Sequence, residues 1–185
     1  MLEEYTHQLN ERMEKSLDAL RKAFNRIRTG RAHPSLLDGI SIDYYGADTP
    51  ISQLASIVVE DARTLALTLW EKNLVPEVEK SILRSDLGLN PNTAGTVIRV
   101  PLPALTEESR KAFGRQAKQE AEKARVSVRN VRRDVLSNVK SLEKTKSISK
   151  DDERRIQDEV QKVTDRFISR VDDLLAEKEK DLMDI

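Results

Sequence analysis

The chain has 185 residues, with 32 Lys+Arg balancing 32 Asp+Glu, no cysteine, and only 3 Tyr, 3 Phe and 1 Trp. Without cysteine there is no disulfide framework, no thiolate nucleophile and no Cys-ligated metal. No run of about 18 apolar residues could span a bilayer. The charged opening LEEYTHQLNERMEK is no signal peptide, so a soluble, cytoplasmic protein is expected.

Residues 3–28 read as a helix, because Leu9, Met13, Leu17, Leu20, Phe24 and Ile27 recur at threes and fours. Gly30 is placed to supply a left-handed C-terminal residue, and Pro34 prevents simple continuation. The helical period then stops. ISIDYY (Ile40–Tyr45), ASIVVE (Ala55–Glu60), TLALTLW (Thr64–Trp70) and TVIRV (Thr96–Val100) read as strands. Gly46 to Pro50 and Asn90 to Gly95 read as turns. Pro76 opens a short helix with Val78, Ile82 and Leu83 apolar and Gly88 as its stop.

Pro101 and Pro103 close that region. Thr106 followed by Glu107 and Glu108 starts a second long helix. Its apolar face is Phe113, Ala117, Ala121, Ala124, Val128, Val131, Val135, Val139 and Leu142. Ser149 with Asp152 three residues on resembles a capping box. Ile156, Val160, Val163, Phe167, Val171, Leu174 and Leu182 outline a third long helix.

Three apolar stripes that cannot stand alone imply a bundle. The fold class is therefore α+β: an elongated three-helix bundle (1–30 and 105–185) with a small α+β domain (31–104) inserted between helices one and two. Gly30, Arg31, Ala104 and Leu105 fall where the chain crosses between them, and a hinge is expected there. Helix one is the shorter. Counted back from this junction, its free end should lie level with Arg132, leaving the far part of helix two to pair with helix three alone.

The zero net charge is unevenly spread. Residues 106–146 carry 12 Lys+Arg against 6 Asp+Glu. Lys111, Lys118, Arg125 and Arg132 follow one another at sevens, and Arg129 and Arg133 thicken the line. Arg129 has Arg125, Arg132 and Arg133 as its helical neighbours, with no carboxylate at those spacings. Like charges so placed destabilise a helix by a few tenths of a kcal/mol each. Two readings remain: a solvated face held by intrahelical ion pairs, or a grip on an external anion. Arginine forks match phosphate oxygens, and the scarcity of aromatics argues against single-strand base stacking. An acidic protein surface is the competing partner. Arg26, Arg28 and Arg31 crowd the junction, where capping or a phosphate contact are the alternatives. His7 and His33 lack any motif pairing them with a nucleophile or a metal set. With no G-x-S-x-G and no P-loop either, no enzyme is expected.

RTGRAHPSLLD (Arg28–Asp38), SDLGLNPNTAG (Ser85–Gly95), IRVPLPALTEE (Ile98–Glu108) and ARVSVRNVRRD (Ala124–Asp134) resemble, in order, signature stretches of the ribosome recycling factors. The resemblance covers essentially the whole chain. His33 and Ser109 depart from it, standing where a small polar residue and an arginine are usual. It implies an L-shaped, monomeric protein that binds large-subunit ribosomal RNA mainly through the bundle. It implies that elongation factor G, using GTP, then acts with it to split the subunits and release messenger and transfer RNA. The factor itself would need no cofactor. The resemblance makes Arg129 and Arg132 ribosome contacts and extends the set to Arg133, Arg28 and Arg31; Arg125 joins these candidates from its place in the seven-residue line. The alternative function is a basic coiled-coil adaptor that holds an acidic protein.

Overall fold

A computed structural model describes residues 2–184; residues 1 and 185, the outer limits expected for the bundle, lie outside the described part. The chain divides into two compact units. One holds the chain up to Ile27 together with Arg110–Asp184, and the other is Arg28–Ser109.

The first unit is built from three long helices. α1 is Leu2–Asn25, α3 is Glu107–Lys144 and α4 is Lys150–Met183. The apolar stripes do what their spacing dictates. Leu9, Met13 and Leu17 of α1, Ala117, Ala121, Val128 and Val139 of α3, and Val163 and Val171 of α4 are all fully buried. Phe113 and Leu142 sit at the ends of the α3 stripe and are half-buried, as is Leu174 within the α4 stripe.

Cross-links fix the directions. Ser16 and Ser127 bring their hydroxyl oxygens to 2.7 Å, and Arg12 reaches Asp134 at 2.8 Å, so α1 runs antiparallel to α3. Arg170 of α4 donates two bonds to the Glu14 carboxylate, and Lys178 donates to the Ile27 carbonyl at 3.0 Å, so α1 runs parallel to α4. The Arg170 bonds hold the Glu14 carboxyl below the usual carboxylate range, with Arg21 adding to the effect. Burial pushes the Lys178 ammonium down.

This register corrects the expected level of the α1 free end. Glu4, Tyr5 and Gln8 line one groove with Asn138, Ser141 and Leu142, so α1 extends past Arg132 to the last turns of α3. The count failed because it set the ends of α1 and α3 level at the junction. The pair Ser16–Ser127 instead places the C-terminal end of α1 about a dozen residues along α3.

The α1 terminus is also not where a glycine would put it. The helix stops at Asn25, and 3₁₀-type bonds from Arg26 to Ala23 and from Ile27 to Phe24 tighten its end. Gly30, at φ +77, lies beyond, where a Cβ would sit 3.4 Å from Cγ of Leu105. The start of α3 is as expected: the Thr106 hydroxyl oxygen accepts the Ser109 N–H at 3.0 Å and donates to the Ser109 hydroxyl. Ser149 and Asp152 form the reciprocal capping box of α4.

The second unit is a four-stranded antiparallel sheet, a hairpin and one short helix. β1 (Ser41–Tyr44) and β2 (Ala47–Pro50) form the hairpin. β3 (Ala55–Asp61), β4 (Thr64–Leu69), β5 (Asn92–Ala94) and β6 (Val97–Pro101) form the sheet in the order β3-β4-β6-β5. Leu65, Leu67, Ile98 and Val100 alternate inward and share one core with Val78 and Ile82 of α2 (Val75–Arg84).

Three expectations change here. Gly46 to Pro50 is not all turn, because Tyr45 (φ +50) and Gly46 (φ +87) alone make the two-residue hairpin loop and pairing resumes at Ala47. Asn90 to Gly95 contains β5, which pairs with β6. α2 ends at Arg84 rather than near Gly88, because the extended Ser85 takes the last carbonyls with its own N–H. His33 caps a 3₁₀ turn at Pro34–Leu37 by accepting the Ser35 N–H.

The α3–α4 link carries a second positive φ at a non-glycine, Lys146 at +58. The bonds Lys146 to Glu143 and Ser147 to Leu142 complete a Schellman turn at this point. Lys146→Gly is expected to raise stability by up to about 1 kcal/mol by removing the Cβ penalty, seen as a rise of about 2–4 °C in the thermal midpoint. An unchanged or lowered midpoint would show that the link carries no such strain.

Candidate functional site

The outer face of α3 gathers the cations that the sequence singled out, but it does not treat them alike. Arg125 is only 20% exposed. Its Nη2 and Nε donate to one oxygen of Asp172 on α4 at 2.6 and 3.0 Å, and its Nη1 donates to Glu122 at 3.1 Å. The Asp172 bond, helped by Glu122, pushes its pKa up further. Arg125 is a strut between two helices.

Arg129 has a weaker tie, 3.4 Å to the other oxygen of Glu122. Arg132 and Arg133 have no ion pair with any described residue. Arg133 is exposed and Arg132 half-exposed. The expectation of an arginine line free of carboxylates is therefore corrected at two positions. Glu122 reaches Arg129 from seven residues back, beyond the three- and four-residue spacings considered, and Asp172 reaches Arg125 from another helix. A pattern read along one helix sees neither.

Arg125 is paired with Asp172, but the acidic residue seven positions back on α4, Asp165, makes no ion pair with Arg132, seven positions on along α3. That carboxylate instead accepts the Gln161 amide at 2.7 Å. On the other flank Asp134 is held by Arg12. Arg132 and Arg133 are left beside one another and beside Arg129, with like-charge repulsion unrelieved within the helix.

Arg115 and Lys140 are further exposed cations of α3, Lys140 seven residues after Arg133 and Arg115 fourteen before Arg129. The sequence reading passed over them, although the seven-residue step from Arg133 to Lys140 was a usable signal. Arg28 is half-exposed and Arg31 exposed; the latter is not without an interaction. Both belong to the second unit, whereas the four α3 arginines belong to the first. His7 is exposed on α1, and His33 is occupied as a cap. Among the described residues no group of His, Asp and Glu could hold a metal ion, and no helix is long and apolar enough to cross a membrane.

These features define a class: an α+β protein whose three-helix unit presents a cationic helix face. The model of the ribosome recycling factor family matches residues 20–183. The chain is 57% identical over all 185 residues to the ribosome-recycling factor of Saccharophagus degradans, and 56% identical to that of Marinomonas sp., with full coverage of both chains in each case. It is similar to the solution structure of a ribosome recycling factor, with a TM-score of 0.75 at 37% identity, covering 100% of this chain and 98% of that one. It also resembles, with a TM-score of 0.67 at 40% identity and full coverage of both chains, the Thermus thermophilus factor in models with Escherichia coli elongation factor G on the post-termination complex. The chain belongs to the ribosome recycling factor family. This is a family of translation factors, and nothing in these relatives supports the acidic-protein adaptor.

Two substitutions separate strut from free cation. Exchanging Arg125 and Asp172 singly and together in a double-mutant cycle is expected to give a coupling of roughly 0.5–1 kcal/mol in thermal or denaturant unfolding, diminished by salt. The same cycle on Arg132 and Asp165 should give none. Coupling between Arg132 and Asp165 would refute the assignment of Arg132 as unpaired.

Proposed function

We propose that this chain acts on the post-termination ribosome with elongation factor G and GTP, splitting the subunits and releasing messenger and transfer RNA. It grips large-subunit RNA through the outer face of α3. Arg132 and Arg133 are the first contacts, Arg129 joins them by giving up its long bond to Glu122, and Arg28 and Arg31 extend the contact from the second unit. Arg125 supports the face from behind.

The observation that carries this reading is the pair of adjacent arginines, Arg133 exposed and Arg132 half-exposed, without a carboxylate, on a helix where Arg125 and Arg129 beside them are tied to one. Guanidinium forks take phosphate oxygens in pairs, and such contacts supply affinity and register with little sequence readout. The buried seam beneath them holds the face rigid, so little order has to be created on binding. The factor contributes binding and position. GTP is used by elongation factor G, and no cofactor of the factor's own enters.

Gly30, Arg31, Ala104 and Leu105 are proposed as the hinge. Only two segments of chain join the units, and a φ of +77 at Gly30 suits no other residue well. Proline, whose φ is near −65, cannot test this position without rebuilding it.

Binding to isolated large ribosomal subunits over a salt series decides the grip. Arg132→Ala and Arg133→Ala are each expected to weaken binding and to lower the salt dependence by about one counterion. Helix content should be unchanged. Arg125→Ala should lower stability more than it lowers affinity. Equal affinity of the Arg132 and Arg133 variants with the parent would sink the proposed surface.

A further inference from the structure

The chain is poor in aromatics, yet it exposes two large ones at a single corner of the α+β unit. Trp70, the only tryptophan, is 67% exposed just after β4. Tyr45 is 80% exposed at the tip of the β1–β2 hairpin. Tyr44 beside it is half-buried, its ring edge-on to Tyr45 with centroids 4.6 Å apart. Tyr44 and Trp70 line a cavity of about 350 Å³ with Thr49, Gln53, Glu71 and Leu74.

One charged group lies in that wall. The Tyr44 hydroxyl donates to Oε1 of Glu71 at 2.6 Å, and Oε2 has no hydrogen-bond partner among the described residues. The carboxylate pushes the phenol pKa up, so Tyr44 stays a donor and fixes both side chains. Tyr45 has a left-handed backbone, which favours glycine or asparagine over a bulky residue. The two-residue hairpin loop imposes that backbone and holds the exposed ring beside Tyr44.

We propose that this cavity binds an arginine side chain from a basic protein segment. A guanidinium entering the cavity beside the Tyr44 and Trp70 side chains would gain cation–π attraction and a charge-assisted bond to Glu71 Oε2. The surroundings favour this occupant over nucleic acid. The one charged residue lining the cavity is the anionic Glu71, so a phosphate is repelled there where a cationic segment is drawn in. The anion-binding face of α3 and this cation-binding corner belong to different units and have opposite sign.

Trp70 reports on the cavity directly. The full-length protein is titrated with a hexapeptide of alternating arginine and glycine while tryptophan emission is followed. The same peptide with citrulline for arginine, and a short single-stranded RNA, serve as comparisons. The expected result is a saturable emission change with the arginine peptide alone. Glu71→Gln, which keeps the shape of the side chain and removes the charge pair, should weaken binding by about fivefold. Glu77→Gln on α2, outside the cavity, should leave it unchanged. Tyr44→Phe should retain binding, because it leaves the ring and releases Glu71. Thermal midpoints of all variants, compared with the parent, keep folding separate from binding. Equal weakening by Glu71→Gln and Glu77→Gln would overturn the proposal, since net charge alone would then account for binding. So would equal binding of the citrulline peptide, a matching response to RNA, or no saturable change with the arginine peptide. Ribosome binding plays no part in this readout, so its outcome is independent of the α3 grip.

Discussion

The buried seam of α3 is the constraint on which the first unit depends. Ala117, Ala121, Val128 and Val139 have no exposed surface, and they face the stripes of α1 and α4. None of the three helices can shed its stripe into water, so the three must meet. Once they meet, every other position on α3 has its direction assigned. Asp134 turns to α1, Arg125 turns to α4, and Arg133 turns to solvent, because successive residues step by about 100° around the axis. The small residues of the seam also let the helices approach closely enough for single side chains to bridge them, as at Ser16–Ser127.

Much of this was legible from the chain alone, and for stated reasons. Helix existence follows from apolar spacing, and each predicted core position from Leu9 to Phe24 and from Ala117 to Val139 is buried. The starts of α3 and α4 were readable because capping chemistry is local: Thr106 and Ser149 hold the N–H three residues on. Helix ends were less so. Asn25 and Arg84 stop their helices without the glycines that seemed to mark the stops, and Lys146 forms a left-handed terminus that composition would not suggest. The loop Tyr45–Gly46 hid β2 for the same reason: the turn type is set by two backbone angles, and tyrosine gives no signal for the first.

What the sequence could not supply was register between elements. The level of α1 along α3 is set by which layers interdigitate, and counting from a shared junction assumes that the ends coincide. The pair Arg12–Asp134 shows that they do not. Register also decided the candidate site. Glu122, Asp134, Asp165 and Asp172 are ordinary acidic residues in the chain, and only packing reveals which cation each one meets. Family resemblance identified Arg129 and Arg132 together, although Arg129 carries a carboxylate contact and Arg132 does not.

Charge on a helix is therefore poorly described by composition. Arg125 and Arg132 are the same residue type at the same heptad position, separated by two turns. At the first level the facing carboxylate, Asp172, is available and takes the guanidinium at 2.6 Å. At the second, no carboxylate pairs with Arg132, and Asp165 accepts the Gln161 amide of its own helix. Arg125 is thus a structural arginine, while the donors of Arg132 remain open to an outside anion. A strut beside an open fork is also a favourable arrangement for binding: Arg125 helps fix α3 against α4, and the fixed helix presents Arg132 and Arg133 without spending their charge on internal partners.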